Sequence, residues 1–165
     1  MKIKLTLLFL ILFSYQVSAE QETLLYLYGP TLNIQQKKAF DRMTSHANNE
    51  EFEAATSLSE ALLETHQSDQ EQNRKVYGQL MINHGIIRSA ALDYEQGLIT
   101  IEKGLEHLEH HRNPFSPLLY KGIMAKAITE FSLNLSEKAE DTFRRTQHIL
   151  HRDKGVYVST QLPVI

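Results

Sequence analysis

One hydrophobic rhythm recurs three times along the chain. A small residue is followed four positions later by a large apolar one, and three positions after that by another small one. The three runs are Ala54-Leu58-Ala61, Gly97-Ile101-Gly104 and Ala139-Phe143-Thr146. Intervals of four and three keep each trio on one face of a helix. The runs begin 43 and then 42 residues apart, and Gly85 and Ala127 stand twelve positions before the second and third. A fixed period of this size marks stacked supersecondary units. The small residues let neighbouring helices approach closely, and the large one fills the space between them.

Punctuation divides each unit into two helices. Leu32–Asn48 and Glu50–Thr65 are separated by Asn48-Asn49. Ser68-x-x-Glu71 forms a capping box for a helix running to Ala90. Asp93 caps the next, which ends near His111 before Asn113-Pro114. Ser116-Pro117 places a capping residue before a proline at the first helical position, opening a helix to Leu133. Ser136 caps the last, which ends near Arg152 before Gly155. Short connections make partners antiparallel. The expectation is an all-α chain of three stacked hairpins over about residues 31–67, 68–113 and 114–152, flanked by an extension at 20–30 and a tail at 153–165.

The first nineteen residues follow a different pattern. Lys2 and Lys4 precede an apolar run from Leu5 to Phe13, and Val17-Ser18-Ala19 provides small residues before Glu20. This is the layout of a secretory signal peptide cut after Ala19. Ser14, Tyr15 and Gln16 stop the apolar run short of the roughly 20 residues a membrane anchor needs. The expected product is exported, without a stable anchor after cleavage. The short lysine region and compact apolar core point to a bacterial periplasm, where the sequon Asn134-Leu135-Ser136 has no meaning.

Composition narrows the chemistry. Hydrophobic residues make up 42% and charged residues 22% of 165, as in ordinary globular chains. Cysteine is absent, so disulfides, thiolate metal sites and cysteine nucleophiles are excluded. A net charge of −3, or −5 once Lys2 and Lys4 are removed, leaves no basic footprint for nucleic acid. Neither a Gly-x-Ser-x-Gly elbow nor a phosphate loop nor a dinucleotide fingerprint is present. The reading is non-enzymatic, with no cofactor.

Leu92-Asp93-Tyr94-Glu95-Gln96-Gly97-Leu98, together with Gly85, Ile101 and Gly104, resembles the turn and packing positions of the tetratricopeptide repeat superfamily. The resemblance covers about Leu32 to Arg152. It departs from the common repeat of about 34 residues by the longer period. Arg88 stands where an aromatic is usual, and the family's Trp and closing Pro are missing. An unrelated helical bundle is the alternative topology. The resemblance implies a concave groove lined by first helices. Gln79, Ile82, Asn83, Ile86 and Ser89 would come from the second unit, and Lys121, Met124, Ile128 and Phe131 from the third. The implied ligand is another protein or a peptide. Packing between hairpins is the competing role for Ile82, Ile86, Met124 and Ile128.

Two clusters could carry other chemistry. His107 and His111 lie one helical turn apart with His110 between them, a spacing that suits metal ligation, and His148 and His151 follow on the last helix. Histidines at a helix C-terminus equally suit the macrodipole. Glu50-Glu51 and Glu137, Glu140 and Asp141 lie in or near first turns, where carboxylates favour the dipole and face solvent. The rival functions are a periplasmic metal-binding or accessory protein using His107, His110 and His111, and a shortened repeat array with only a structural role.

Overall fold

The computed structural model describes Leu25 and residues 32–67, 74–109 and 119–153. The expected signal peptide, the tail beyond Asp153, the Ser68 and Ser116 caps, His110 and His111 lie outside them, as does the extension apart from Leu25. Six helices follow in order: α1 (Ile34–Asn48), α2 (Phe52–Gln67), α3 (Arg74–Ala90), α4 (Tyr94–Glu109), α5 (Tyr120–Ser132) and α6 (Ser136–Asp153). Successive helices pack on each other, so the architecture is an all-α stack of hairpins. Among the described residues no helix is long and apolar enough to cross a membrane.

The turns within the hairpins share one geometry. Glu50, Leu92 and Asn134, each 42 residues from the next, have φ of 61°, 69° and 61°. In each turn the next N–H reaches back to the preceding helix, from Glu51 to His46 O, Asp93 to Arg88 O and Leu135 to Glu130 O, at 2.9, 3.0 and 2.9 Å. This is the six-to-one bond that satisfies an otherwise orphaned carbonyl at a helix end. The same residues then accept the first bond of the following helix, from Ala55, Gly97 and Ala139. The last helix is therefore entered through Leu135, and Ser136 is its first helical residue, one place later than its expected role as cap. Asp93 holds the capping position, but its carboxylate binds Arg88, with Nε at 2.8 Å and Nη2 at 2.5 Å. At the start of α1, Asn33 and Gln36 form a reciprocal capping box with both bonds at 2.9 Å.

The shared turn corrects the register of the first unit. The counterpart of Gly97 and Ala139 is Ala55, which is fully buried, whereas Ala54 is exposed. Ser59 and Leu62 are likewise buried, while Leu58 is half-buried and Ala61 exposed. The period is thus 42 throughout. A one-residue slip arose because Ala54 and Ala55 are both small, so residue size alone could not choose between them.

Helix α3 is the centre of the stack, with α2, α4 and α5 against it. Ten of its residues are buried, polar Gln79, Asn83 and His84 among them. The α3–α4 contact is the closest. A Cβ on Gly104 would lie 2.7 Å from Gly78 O and 2.8 Å from Ile82 Cγ1. One on Gly85 would lie 2.7 Å from Gly97 O and 2.6 Å from Ile101 Cγ1. Real Cβ atoms do not approach so closely, so glycine is required where these backbones meet. At the far end of the stack, α6 packs on α5 and presents Glu137, Lys138, Asp141, Arg144 and His148 to solvent.

Candidate binding surface

The structure divides the nine expected groove residues into two groups. Gln79, Ile82 and Asn83 are fully buried, and Ile86 retains 9% exposure. They belong to the packing between hairpins rather than to an open groove. The reason is the central position of α3, which leaves it little free face. A Cβ on Gly122 of α5 would lie 2.9 Å from Ile82 Cδ1, so the two helices close directly over this residue. Gln79 Nε2 donates to Lys75 O on its own helix at 3.0 Å. Ser89 is half-buried and donates to Thr129 Oγ1 at 3.1 Å, the Thr129 proton being given to Ala125 O, and so ties α3 to α5.

Lys121, Met124, Ile128 and Phe131 form the second group. They follow one another at intervals of three and four on α5, and all four are half-buried. Intervals of that size place them on one stripe. Of the expected groove, this stripe and Ser89 keep a surface that another molecule can touch.

Two concavities lie elsewhere. The larger, about 790 Å³, is bounded by Glu50, Glu51, Phe52, Glu53, Ala54, Ser57 and Ala91. Its acids stand at the start of α2, and Glu51 is engaged by His46 Nδ1. The second, about 460 Å³, is bounded by Glu102, Leu105, Glu106, Glu109, Lys126 and Arg145. Ion pairs cross it. Lys126 Nζ lies 2.9 Å from Glu102 and 3.7 Å from Glu130, and Arg145 Nη2 lies 2.5 Å from Glu109. Exposed pairs contribute about 0–1 kcal/mol each. Glu130 is different, because only 2% of it is exposed and its carboxylate accepts from Thr142 Oγ1 at 2.7 Å. Losing its partners would strand a buried charge. This network joins α4, α5 and α6, and apart from the Lys126–Glu130 pair one turn apart on α5 no sequence spacing announces it.

The histidine cluster lies only partly among the described residues. His107 sets its ring edge-on to Tyr77, with centroids 5.2 Å apart and planes at 83°. Burial holds its pKa below the ordinary value; Arg74 lowers it further, while Glu106 opposes. Among the described residues no group of three His, Asp or Glu side chains is arranged to hold a metal ion.

One pair escaped sequence reading. Ser59 Oγ and His84 Nδ1 lie 2.7 Å apart across the α2–α3 seam. That distance would suit a nucleophile and its base. Only 2% of Ser59 and 6% of His84 is exposed, however, and neither bounds either concavity. No family model matches the chain, nor does any curated protein or solved structure.

Proposed function

We propose that this chain is an exported, periplasmic member of the tetratricopeptide repeat superfamily that binds another protein, without catalysing a reaction. The supporting observation is the α5 stripe of Lys121, Met124, Ile128 and Phe131 beside Ser89, on a stack of hairpins with a 42-residue period. A half-buried row of two aliphatic side chains and one aromatic, with a cation at its end, suits an extended peptide or the apolar face of a helix. The N-terminal pattern supports export, since its apolar run is too short to anchor.

Two measurements test this reading. N-terminal sequencing of the purified product should begin at Glu20; finding Met1 in a membrane fraction would overturn export. For binding, tagged full-length chain is used to capture partners from an envelope extract. Lys121→Ala should change stability by no more than about 0.5 kcal/mol, as surface substitutions usually do. It should nevertheless reduce capture. Undiminished capture by both Lys121→Ala and Met124→Ala would remove the stripe from the binding surface.

A further inference from the structure

The first hairpin meets the rest of the described body chiefly through α2 packed on α3. In that single seam lies the Ser59–His84 pair, 2.7 Å apart and almost wholly enclosed. Ser59 Oγ is also 2.7 Å from Thr56 O, to which it donates. A serine hydroxyl has one proton to give. Were it spent on His84, lone pairs of Ser59 and Thr56 would face each other at 2.7 Å. The network therefore runs from His84 Nδ1–H to Ser59 Oγ and on to Thr56 O. That fixes the neutral tautomer and leaves Nε2 as the atom that accepts a further proton. Among the described residues no buried polar side-chain atom lacks a partner, and Nε2 is bonded by none of them, so it lies at the ring's small exposed edge.

We propose that the His84–Ser59 pair is a proton-operated latch: acidification loosens the first hairpin from the second while the last hairpin remains closed. A proton taken up at Nε2 leaves the hydrogen-bond chain intact but places a charge inside the seam. After burial, the charges acting on His84 are Glu60 of α2 and Asp93 at the head of α4, which favour the protonated ring, and Arg88 of α3, which opposes it. Asp93 is already occupied by Arg88, and Arg88 itself repels the imidazolium. Opening the seam returns the ring to water. Burial, the leading cause, holds His84 below its ordinary pKa of 6.5. The opened state therefore binds more protons than the closed one. Seam stability is complete above 6.5 and declines as pH falls through that value toward the folded pKa. This inference does not depend on the binding role proposed above.

Amide exchange of the full chain, corrected for its intrinsic pH dependence, tests the latch. Between about pH 7.5 and about pH 5, α2 should lose protection relative to α6 by about threefold or more, reversibly. His84→Gln should abolish the difference. His66→Gln should retain it, since His66 is the other buried histidine among the described residues and lies on α2, with Nδ1 2.8 Å from Leu62 O. Equal loss in α2 and α6, survival of the effect in His84→Gln, or its disappearance in His66→Gln would each overturn the proposal. Should His84→Gln not fold, ring-proton titration of the unaltered chain decides. The α2 amide shifts must then follow the His84 titration, and shifts that follow another histidine overturn the latch.

Discussion

The first and second hairpins share one turn geometry but fill their interiors in opposite ways. In the second, Gly85 on α3 faces Ile101 on α4, so the first helix supplies the space and the second fills it. At the equivalent positions of the first hairpin the order is reversed: Met43 on α1 is large and fully buried, and Ser59 on α2 is small and buried. The third pairs buried Ala127 with half-buried Phe143, as the second does. What recurs is one large residue matched with one small one, on whichever helix each falls. Native packing density requires this, because a void or a surplus methylene costs stability wherever it falls. The exchange has a chemical consequence. The small residue on α2 is a serine, and its hydroxyl reaches His84 across the seam.

The largest expected effect lies in the second hairpin. Gly104→Leu places a side chain where even a Cβ would lie 2.7 Å from Gly78 O. Backbone cannot yield as a side chain can, so the loss should reach about 3 kcal/mol or more, the upper end of overpacking costs. Chemical denaturation measures it. A loss below about 1 kcal/mol would mean that the backbones of α3 and α4 do not meet at Gly104.

A smaller effect tests the register of the first hairpin. Ala55→Leu should destabilise by about 1–3 kcal/mol, whereas Ala54→Leu should stay within about 0.5 kcal/mol. Buried Ala55 has no room, and exposed Ala54 does. Reversal of the two outcomes would restore the 43-residue spacing and undo the comparison.

The smallest effect concerns the turns. Leu92 holds φ of 69° with 72% of its surface exposed, so its side chain gains little in return for the strain. Leu92→Gly should therefore raise stability by about 0.5–1 kcal/mol. Asn134→Gly should change it less, since asparagine tolerates this backbone region. Thermal melting of the two variants side by side reads the difference. An equal response would remove backbone strain as the distinction between these turns.

The six helices, the turns within each hairpin and the hairpin order were legible in the chain itself. Asn48-Asn49, Asp93 and Ser136 mark the turns within the hairpins to within two residues, and local hydrogen bonding decides such features within a few residues. Gly97 and Gly104 announced close packing for a similar reason: glycine costs about 1 kcal/mol inside a helix and needs something to offset it. The partners of those glycines were not legible. Gly78 and Gly85 belong to another helix, and only the stack brings them into contact.

The binding surface divides along the same line. The family resemblance placed Lys121, Met124, Ile128 and Phe131 in a groove, and the structure sets them on one half-buried stripe of α5. The resemblance also placed Gln79 and Asn83 on an open face of α3, although both are fully buried. A pattern of polar and apolar residues predicts burial when a helix has one covered face. Helix α3 has neighbours in three others, and Gln79 satisfies its amide within its own helix. The exchange between Met43 and Ser59 was hidden for a related reason: the two stand sixteen positions apart on different helices, beyond the reach of any single-helix rhythm. The sequence by itself thus determined the helices, the turns and the approximate period, because these depend on neighbours along the chain. Tertiary structure alone decided the register of the first hairpin, the burial of the polar face of α3 and the meeting of Ser59 with His84, because these depend on volume and hydrogen-bond partners that distant segments supply.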